Sequence, residues 1–156
     1  MKFTKKKIIS VFFLFIILAF LTGCVSSVAN QNGSGELKAV MFKADACGCC
    51  LKYKAYLESK GVHVDVVSMP DISSIKQKYG VPGYLQSCHT ITMNGHIIEG
   101  HVPFSAIDKM LSEGSGVKGI TLPAMPAGSP GMPGVKSEDF KIYKFGNGES
   151  AVFMTV

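Results

Sequence analysis

The sequence predicts one domain of mixed α/β (α+β) class, with its elements in the order β-α-β-α-β-β-α. Short apolar runs with strand-like alternation are separated by stretches with helical spacing of apolar residues. Asn94-Gly95 stands between two such runs, which is typical of a tight β-hairpin. Removing a 23-residue amino-terminal segment from 156 residues leaves 133, enough for one domain with a real core.

The first three elements form a strand–helix–strand unit. Residues 37–43 are a short apolar strand, and residues 51–60 are predicted to be a helix that ends at Gly61. Residues 62–68 alternate as a second strand, which should be parallel to the first with a right-handed crossover. The helix is expected to bury one side, formed by Leu51, Ala55 and Leu57.

The remaining core elements follow from caps and turns. A second helix is predicted over residues 71–79, with Asp71 or Ser73 as its cap. Residues 89–93 and 96–99 are the strands of the hairpin, and residues 103–113 form a third helix with a proline at its start.

The last part of the chain changes character. Residues 114–134 form a Pro/Gly/Met-rich loop in which we expect no regular structure. Residues 140–145 and 150–156 flank a Gly-rich turn and are predicted to form a C-terminal β-hairpin that packs back on the domain.

This element order is the thioredoxin-like layout, and Cys47-Gly48-Cys49-Cys50 lies where such proteins keep their cysteines, between the first strand and the first helix. The first turn of a helix favours thiolate over thiol, and thiolate is the form that binds metal or attacks disulfides. Closely spaced cysteines are poor disulfide partners for one another. We therefore prefer a metal or redox site to a pair of structural disulfides.

The amino terminus reads as a targeting segment. Four lysines precede an apolar run over residues 8–21, which is too short for a comfortable bilayer span. The run ends in Leu21-Thr22-Gly23-Cys24, which resembles a bacterial lipobox. That resemblance implies cleavage after residue 23 and lipidation of Cys24, with an ordinary signal peptide or a short anchor as the alternative.

We thus expect three parts: a lipoprotein signal peptide (1–23), a flexible tether (24–36) and the metal-binding domain (37–156). The protein would be exported and held on a membrane by the lipid, facing the periplasm or the outer face of the cell membrane. Cysteines in such an oxidising compartment need a metal, a redox cycle or a disulfide.

The charge balance argues against nucleic acid as a partner. The net charge of +5 falls to about +1 once the four amino-terminal lysines are removed, and the chain contains no arginine. The domain therefore lacks the basic face of a nucleic-acid binder.

Four motifs together resemble the CopG family of exported proteins, many of which are labelled only as a domain of unknown function. They are Cys47–Cys50, Ser87–Thr90, Glu99–Pro103 and Pro123–Met132, and the resemblance covers about residues 38–156. It implies a thioredoxin-like fold, a role in copper resistance, and copper held by cysteines and a histidine.

The residue types agree with that implication, because Cu(I) prefers thiolate, thioether and imidazole. The predicted sulfur ligands are Cys47, Cys49, Cys50 and Cys88. Thioredoxin-like redox enzymes carry a cis-proline before their third strand, where this chain has Cys88. A cysteine there adds a ligand, so we favour metal storage, with several Cu(I) ions bridged by thiolates.

His101 is the preferred nitrogen ligand, because it follows the fourth strand at the active edge of the fold. His89 is second, since strand alternation would turn its side chain away from the face of Cys88. Met125 and Met132 are candidate accessory ligands on the Pro/Gly-rich loop.

The leading hypothesis is therefore a protein that sequesters or relays Cu(I), with a copper efflux or redox protein as partner. The alternative is a thiol–disulfide oxidoreductase in which Cys47 attacks and Cys50 resolves. A weaker alternative is a structural zinc site of three cysteines and a histidine. Whether the protein is an enzyme stays open, with a non-enzymatic role preferred.

Overall fold

A seven-stranded mixed sheet organises residues 36–156, the part of the chain that the computed structural model describes. The strands are β1 (Leu37–Ala44), β2 (Val62–Met69), β3 (His89–Met93), β4 (His96–Gly100), β5 (Gly119–Leu122), β6 (Lys141–Gly146) and β7 (Glu149–Thr155). The helices are α1 (Gly48–Glu58), α2 (Ser73–Tyr79) and α3 (Phe104–Glu113). The predicted signal peptide, Cys24 and all but the last residue of the predicted tether lie outside the described residues.

The strand order is β2-β1-β3-β4-β5-β6-β7. Strands β1 and β2 are parallel, as predicted for the first unit, and β3 runs antiparallel to β1. Asn94 and Gly95 both have positive φ, at 48° and 82°, and make the predicted tight turn between β3 and β4. The mixed α/β class is confirmed, whereas the thioredoxin-like assignment stays a prediction.

Helices α1 and α3 contribute to the main core. From α1 the buried side chains are Cys50, Tyr53 and Leu57, which follow helical spacing. The prediction that Leu51 and Ala55 share the buried side was wrong: both are exposed, Leu51 at 53 %. The helix begins three residues earlier than predicted, at Gly48, so its inward stripe starts from a cysteine of the motif.

The expectation of no regular structure over residues 114–134 was also wrong. The four-residue strand β5 lies inside that stretch and pairs parallel with β4. All its residues are buried, and Gly119 leaves room for Phe145, since a Cβ there would lie 2.5 Å from the ring. A strand this short between Gly and Pro residues gives too few apolar positions for a periodic signal.

β5 also explains where the C-terminal hairpin goes. The predicted hairpin forms as β6 and β7, and β6 pairs antiparallel with β5, so the hairpin extends the sheet. A smaller apolar cluster fills the space beside it, made of Val81, Leu85, Ile97 and Phe145.

Within residues 36–156, every helix is too short or too polar to cross a bilayer.

Candidate metal centre

The cysteine motif lies at the amino-terminal end of α1. Cys47 directly precedes the helix, and Cys49 and Cys50 belong to its first turn. Cys47 and Cys50 are joined by a disulfide, with their Cα atoms 5.6 Å apart, and Cys49 is a free thiol. The expectation that these neighbours are poor disulfide partners was therefore wrong for Cys47 and Cys50. One helical turn brings positions i and i+3 within the Cα separation that a disulfide spans.

Cys88 reaches this motif from another part of the chain. It directly precedes β3, and because β3 runs antiparallel to β1, the start of β3 lies beside the end of β1. The four sulfur atoms of Cys47, Cys49, Cys50 and Cys88 lie within 4.8 Å of one another. The structure thus brings together the four cysteines that the sequence singled out, and their role as metal ligands stays a prediction.

Both candidate histidines lie next to Cys88. One ligand atom from each of Cys88, His89 and His101 lies within 4.8 Å of the others, and Cys88 Sγ is 3.1 Å from His89 Nδ1. Both imidazoles are fully buried. The expectation that alternation turns His89 away was wrong, because Cys88 stands before the first residue of β3, where strand alternation does not yet apply.

Each of the two imidazoles has one ring nitrogen that makes no hydrogen bond to the described residues. His101 Nδ1–H donates to the carbonyl of Pro130 at 2.6 Å, which leaves a lone pair on Nε2. Among the described residues, Nε2 of His89 and Nε2 of His101 are both buried without a hydrogen-bond partner. His101 thus has one nitrogen fixed by a backbone carbonyl and the other free, which is the usual arrangement of a metal-binding histidine.

Burial controls the protonation of the site. It lowers the pKa of His89 well below its usual value, helped by the charges of His101 and Lys76, and it lowers the pKa of His101. Burial, with the nearby Cys49 as the next cause, raises the pKa of the Cys88 thiol to about 12. The imidazoles are therefore neutral at pH 7. Cys88 is a protonated thiol at this pH, and a metal ion would have to displace that proton to bind.

Comparison with known proteins places the chain in a family. The family described as "Protein of unknown function, DUF411" matches residues 85–132, and no curated protein matches the sequence. Two solved structures are similar, described as "Copper resistance protein copG", form 2 and form 1. Their TM-score is 0.71, their identities are 34 % and 33 %, and they cover 77 % and 78 % of this chain. In each case 98 % of the solved chain is covered.

The chain belongs to the CopG-like family. Residues 85–132, which match the family of unknown function, contain Cys88, both candidate histidines and the Pro/Gly-rich loop as far as Met132. The cysteine motif at the start of α1 precedes that segment. The group of four cysteines therefore combines Cys88, from the matched segment, with three cysteines that lie outside it.

Tyr53 is a residue of this CopG-like site that the sequence analysis missed. Its ring is fully buried, with centroids 4.9 Å from His89 and 5.0 Å from His101. Its hydroxyl donates to the carbonyl of Val102 at 2.6 Å, and burial raises its pKa well above the usual value. Helical spacing could have identified Tyr53, because it is three residues after Cys50 and so lies on the same face of the helix.

The Pro/Gly-rich loop contacts the same region through its backbone. Besides the Pro130 carbonyl, Gly131 packs so closely on α1 that a Cβ there would lie 2.7 Å from the backbone nitrogen of Tyr53. Met125 and Met132 are half-buried in this loop, and their part as accessory ligands stays a prediction.

Proposed function

We propose that this protein is an exported copper-binding protein that sequesters or relays Cu(I) and so contributes to copper resistance. The observation that carries the proposal is that Cys88 lies close to three other cysteine sulfurs and to two neutral, buried imidazoles. Thiolate and imidazole are ligands that suit Cu(I). The description of the two similar structures as copper resistance proteins supports the choice of metal.

The geometry favours more than one ion. The four-sulfur group and the group of Cys88 with the two histidines share the Cys88 sulfur. A thiolate can bridge two metal ions, so Cys88 would join a sulfur-rich position to a position that includes imidazole nitrogen. We expect several Cu(I) ions per chain.

Loading would require reduced cysteines. The Cys47–Cys50 disulfide withdraws two of the four sulfurs from coordination. The thiolate, not the disulfide, is the metal ligand. The reduced protein is thus the form proposed to take up copper.

An anaerobic titration tests the proposal. The full chain in detergent, reduced with dithiothreitol and desalted, is titrated with Cu(I) against a colorimetric Cu(I) chelator. We expect more than one tightly bound equivalent, and a lower number or affinity in Cys88→Ser. Cys24→Ser removes the remaining cysteine and serves as the matched control. Binding of less than one equivalent, or equal binding by Cys88→Ser, would contradict the proposal.

Elemental analysis distinguishes the proposed copper site from a structural zinc site. A structural zinc site of three cysteines and a histidine would leave about one zinc per chain in protein purified without added metal. Elemental analysis of that protein measures it, and we expect less than stoichiometric zinc.

A second candidate is thiol–disulfide exchange, which the Cys47–Cys50 disulfide favours. Cys47 is half-buried and Cys50 fully buried, as expected if the Cys47 thiolate attacks a substrate disulfide. Cys50 would then attack the Cys47 sulfur, release the substrate as a dithiol and restore the disulfide. Insulin reduction measures this activity. Robust turnover that persists in Cys88→Ser would support the enzyme over the copper store.

The location of the protein is a further part of the proposal. We propose that lipid on Cys24 holds the domain on the membrane, facing the periplasm or the outer face of the cell membrane, where a copper efflux or redox protein would be its partner. Membrane fractionation of wild type and Cys24→Ser tests the anchor. Equal membrane retention of the two would contradict it.

A further inference from the structure

Glu99 is a buried carboxylate that the proposed copper chemistry does not use. It lies in β4 with no exposed surface, and its ion-pair partner, Lys76 of α2, is also buried. Burying two charges costs several kcal/mol per ion unless their hydrogen bonds are well satisfied. Two apolar residues in the place of a buried ion pair often give a core that is equally stable or more stable. Stability alone is therefore a weak explanation for this pair.

The hydrogen bonds of Glu99 converge on the segment that carries Cys88. Its Oε1 accepts from the backbone N–H of Ser87 at 2.6 Å, and Ser87 directly precedes Cys88. Its Oε2 accepts from the hydroxyl of Thr90 at 2.6 Å, and Thr90 directly follows His89. One carboxylate thus holds the chain on both sides of the Cys88-His89 pair.

The same residue connects this segment to the strand of His101. Thr90 and Glu99 are paired in the antiparallel register of β3 and β4, and His101 follows Glu99 by two positions. Between them, Gly100 has φ +76°, and a Cβ there would lie 2.5 Å from the hydroxyl of Ser87. The backbone of β4 therefore approaches the Cys88 segment more closely than any side chain would allow.

Lys76 completes the arrangement from α2. Its ammonium donates to Glu99 Oε1 and, at 3.3 Å, to the hydroxyl of Thr90. A cation that contacts both partners favours the charged carboxylate, and because Lys76 donates to the Thr90 oxygen, the Thr90 hydrogen is left to point toward Glu99.

We propose that Glu99, with Thr90 and Lys76, is a positioning unit that fixes Cys88 and His89 relative to His101, so that the sulfur and both imidazoles are aligned before metal arrives. The inference rests on the proposed copper function and deepens it. Groups that orient metal ligands typically change affinity by about tenfold to a hundredfold when they are removed.

Copper affinity gives the first readout. In the chelator competition with the reduced full chain, Glu99→Gln should weaken Cu(I) binding by about tenfold or more, because an amide nitrogen cannot accept the bonds that a carboxylate oxygen does. Thr90→Val should weaken binding as well and Thr90→Ser should restore it. Thr92→Val, the same change two residues along β3, is the matched control. Wild-type affinity in Glu99→Gln would overturn the inference.

A double substitution distinguishes positioning from a general loss of stability. If Glu99 acts through Cys88, Glu99→Gln should change copper affinity much less in a Cys88→Ser background than in wild type. An equal loss in both backgrounds would mean a merely structural role and would overturn the inference.

A metal-free readout keeps the inference testable if wild type binds no Cu(I), an outcome that would defeat the proposed function alone. In the full chain with the Cys47–Cys50 disulfide intact, Cys49 and Cys88 are the free thiols of the domain. Alkylation by N-ethylmaleimide, followed peptide by peptide, should speed up severalfold at Cys88 relative to Cys49 in Glu99→Gln. Thr90→Val provides the same measurement should Glu99→Gln fail to fold. An unchanged ratio in a folded variant would overturn the positioning role.

Discussion

His89 and His101 are buried imidazoles that the protein keeps neutral, and among the described residues the Nε2 of each has no hydrogen-bond partner. Burial is the main cause for both: it lowers the pKa of each ring below the value of an exposed histidine. Because a protonated His89 would place a second positive charge near Lys76, whose charge already lowers the His89 pKa, protonation and folding oppose each other at this position. That opposition has a measurable consequence in the metal-free protein.

We predict that His89 makes the metal-free protein less stable as the pH falls. Its pKa is lowered on folding, so below about pH 6.5 the unfolded chain binds a proton that the folded protein excludes. Stability should then decrease on acidification until the folded-state pKa is reached, by up to about 1.4 kcal/mol per pH unit from this group. Urea unfolding of wild type and His89→Phe between pH 7 and 5 measures it.

The comparison isolates His89 because other groups are common to both proteins. Burial raises the pKa of Glu99, which contributes in the opposite direction and cancels in the difference. His63→Gln, which removes an exposed imidazole, is the control. Parallel pH profiles for wild type and His89→Phe would contradict the prediction.

At the scale of elements, the candidate ligands come from places where helices and strands begin or end. The sequence predicted this arrangement from element order together with the thioredoxin-like and CopG-like resemblances: Cys47 to Cys50 at the start of α1, Cys88 before β3, His101 after β4. It could not predict β5, whose four residues are too few for a periodic signal. It also could not predict that the loop after β5 returns to α1, because that contact depends on backbone atoms of Pro130 and Gly131.

We predict that Gly131→Ala disturbs the site through this loop. Gly131 has φ +79°, and a Cβ would lie 2.7 Å from Tyr53 N and 3.0 Å from Lys52 C, both backbone atoms of α1 that cannot yield. The loop must shift, and the Pro130 carbonyl that accepts from His101 shifts with it. We expect lower stability in urea and weaker Cu(I) binding in the chelator competition.

Gly148→Ala is the matched control for this change. Gly148 has φ +82°, but a Cβ at this position would meet no atom within 4 Å, so the variant suffers only the strain of a left-handed alanine, about 1 kcal/mol. Gly131→Ala should be destabilised by clearly more than that. If the two variants match in stability and copper affinity, the loop does not position His101.

At the scale of the whole molecule, the sequence predicted the class and the hairpins from local pattern, and it predicted which cysteines converge from the likeness to thioredoxin-like proteins. The buried network beneath the site was beyond it. The sequence assigned no role to Lys76 and gave Glu99 only a place in a family motif, and nothing local indicates that α2 places one directly against the other. Likewise, the face of His89 depends on where β3 begins, a boundary that sequence patterns give only approximately.

Since the proposed ligands come from separated parts of the sheet and α1, copper bound by them should act as a crosslink for the folded chain. A ligand that binds the folded state stabilises it by about 2.7 kcal/mol at a hundred times its Kd, less any affinity of unfolded thiols. We predict that buffered Cu(I) raises the unfolding temperature of the reduced protein, followed by circular dichroism. The rise should be smaller in Cys88→Ser, which loses the sulfur shared by both ligand groups, and smaller in the oxidised protein, where Cys47 and Cys50 are joined. An equal rise in all three would place the copper elsewhere, since only a site that needs Cys88 and reduced cysteines can distinguish them.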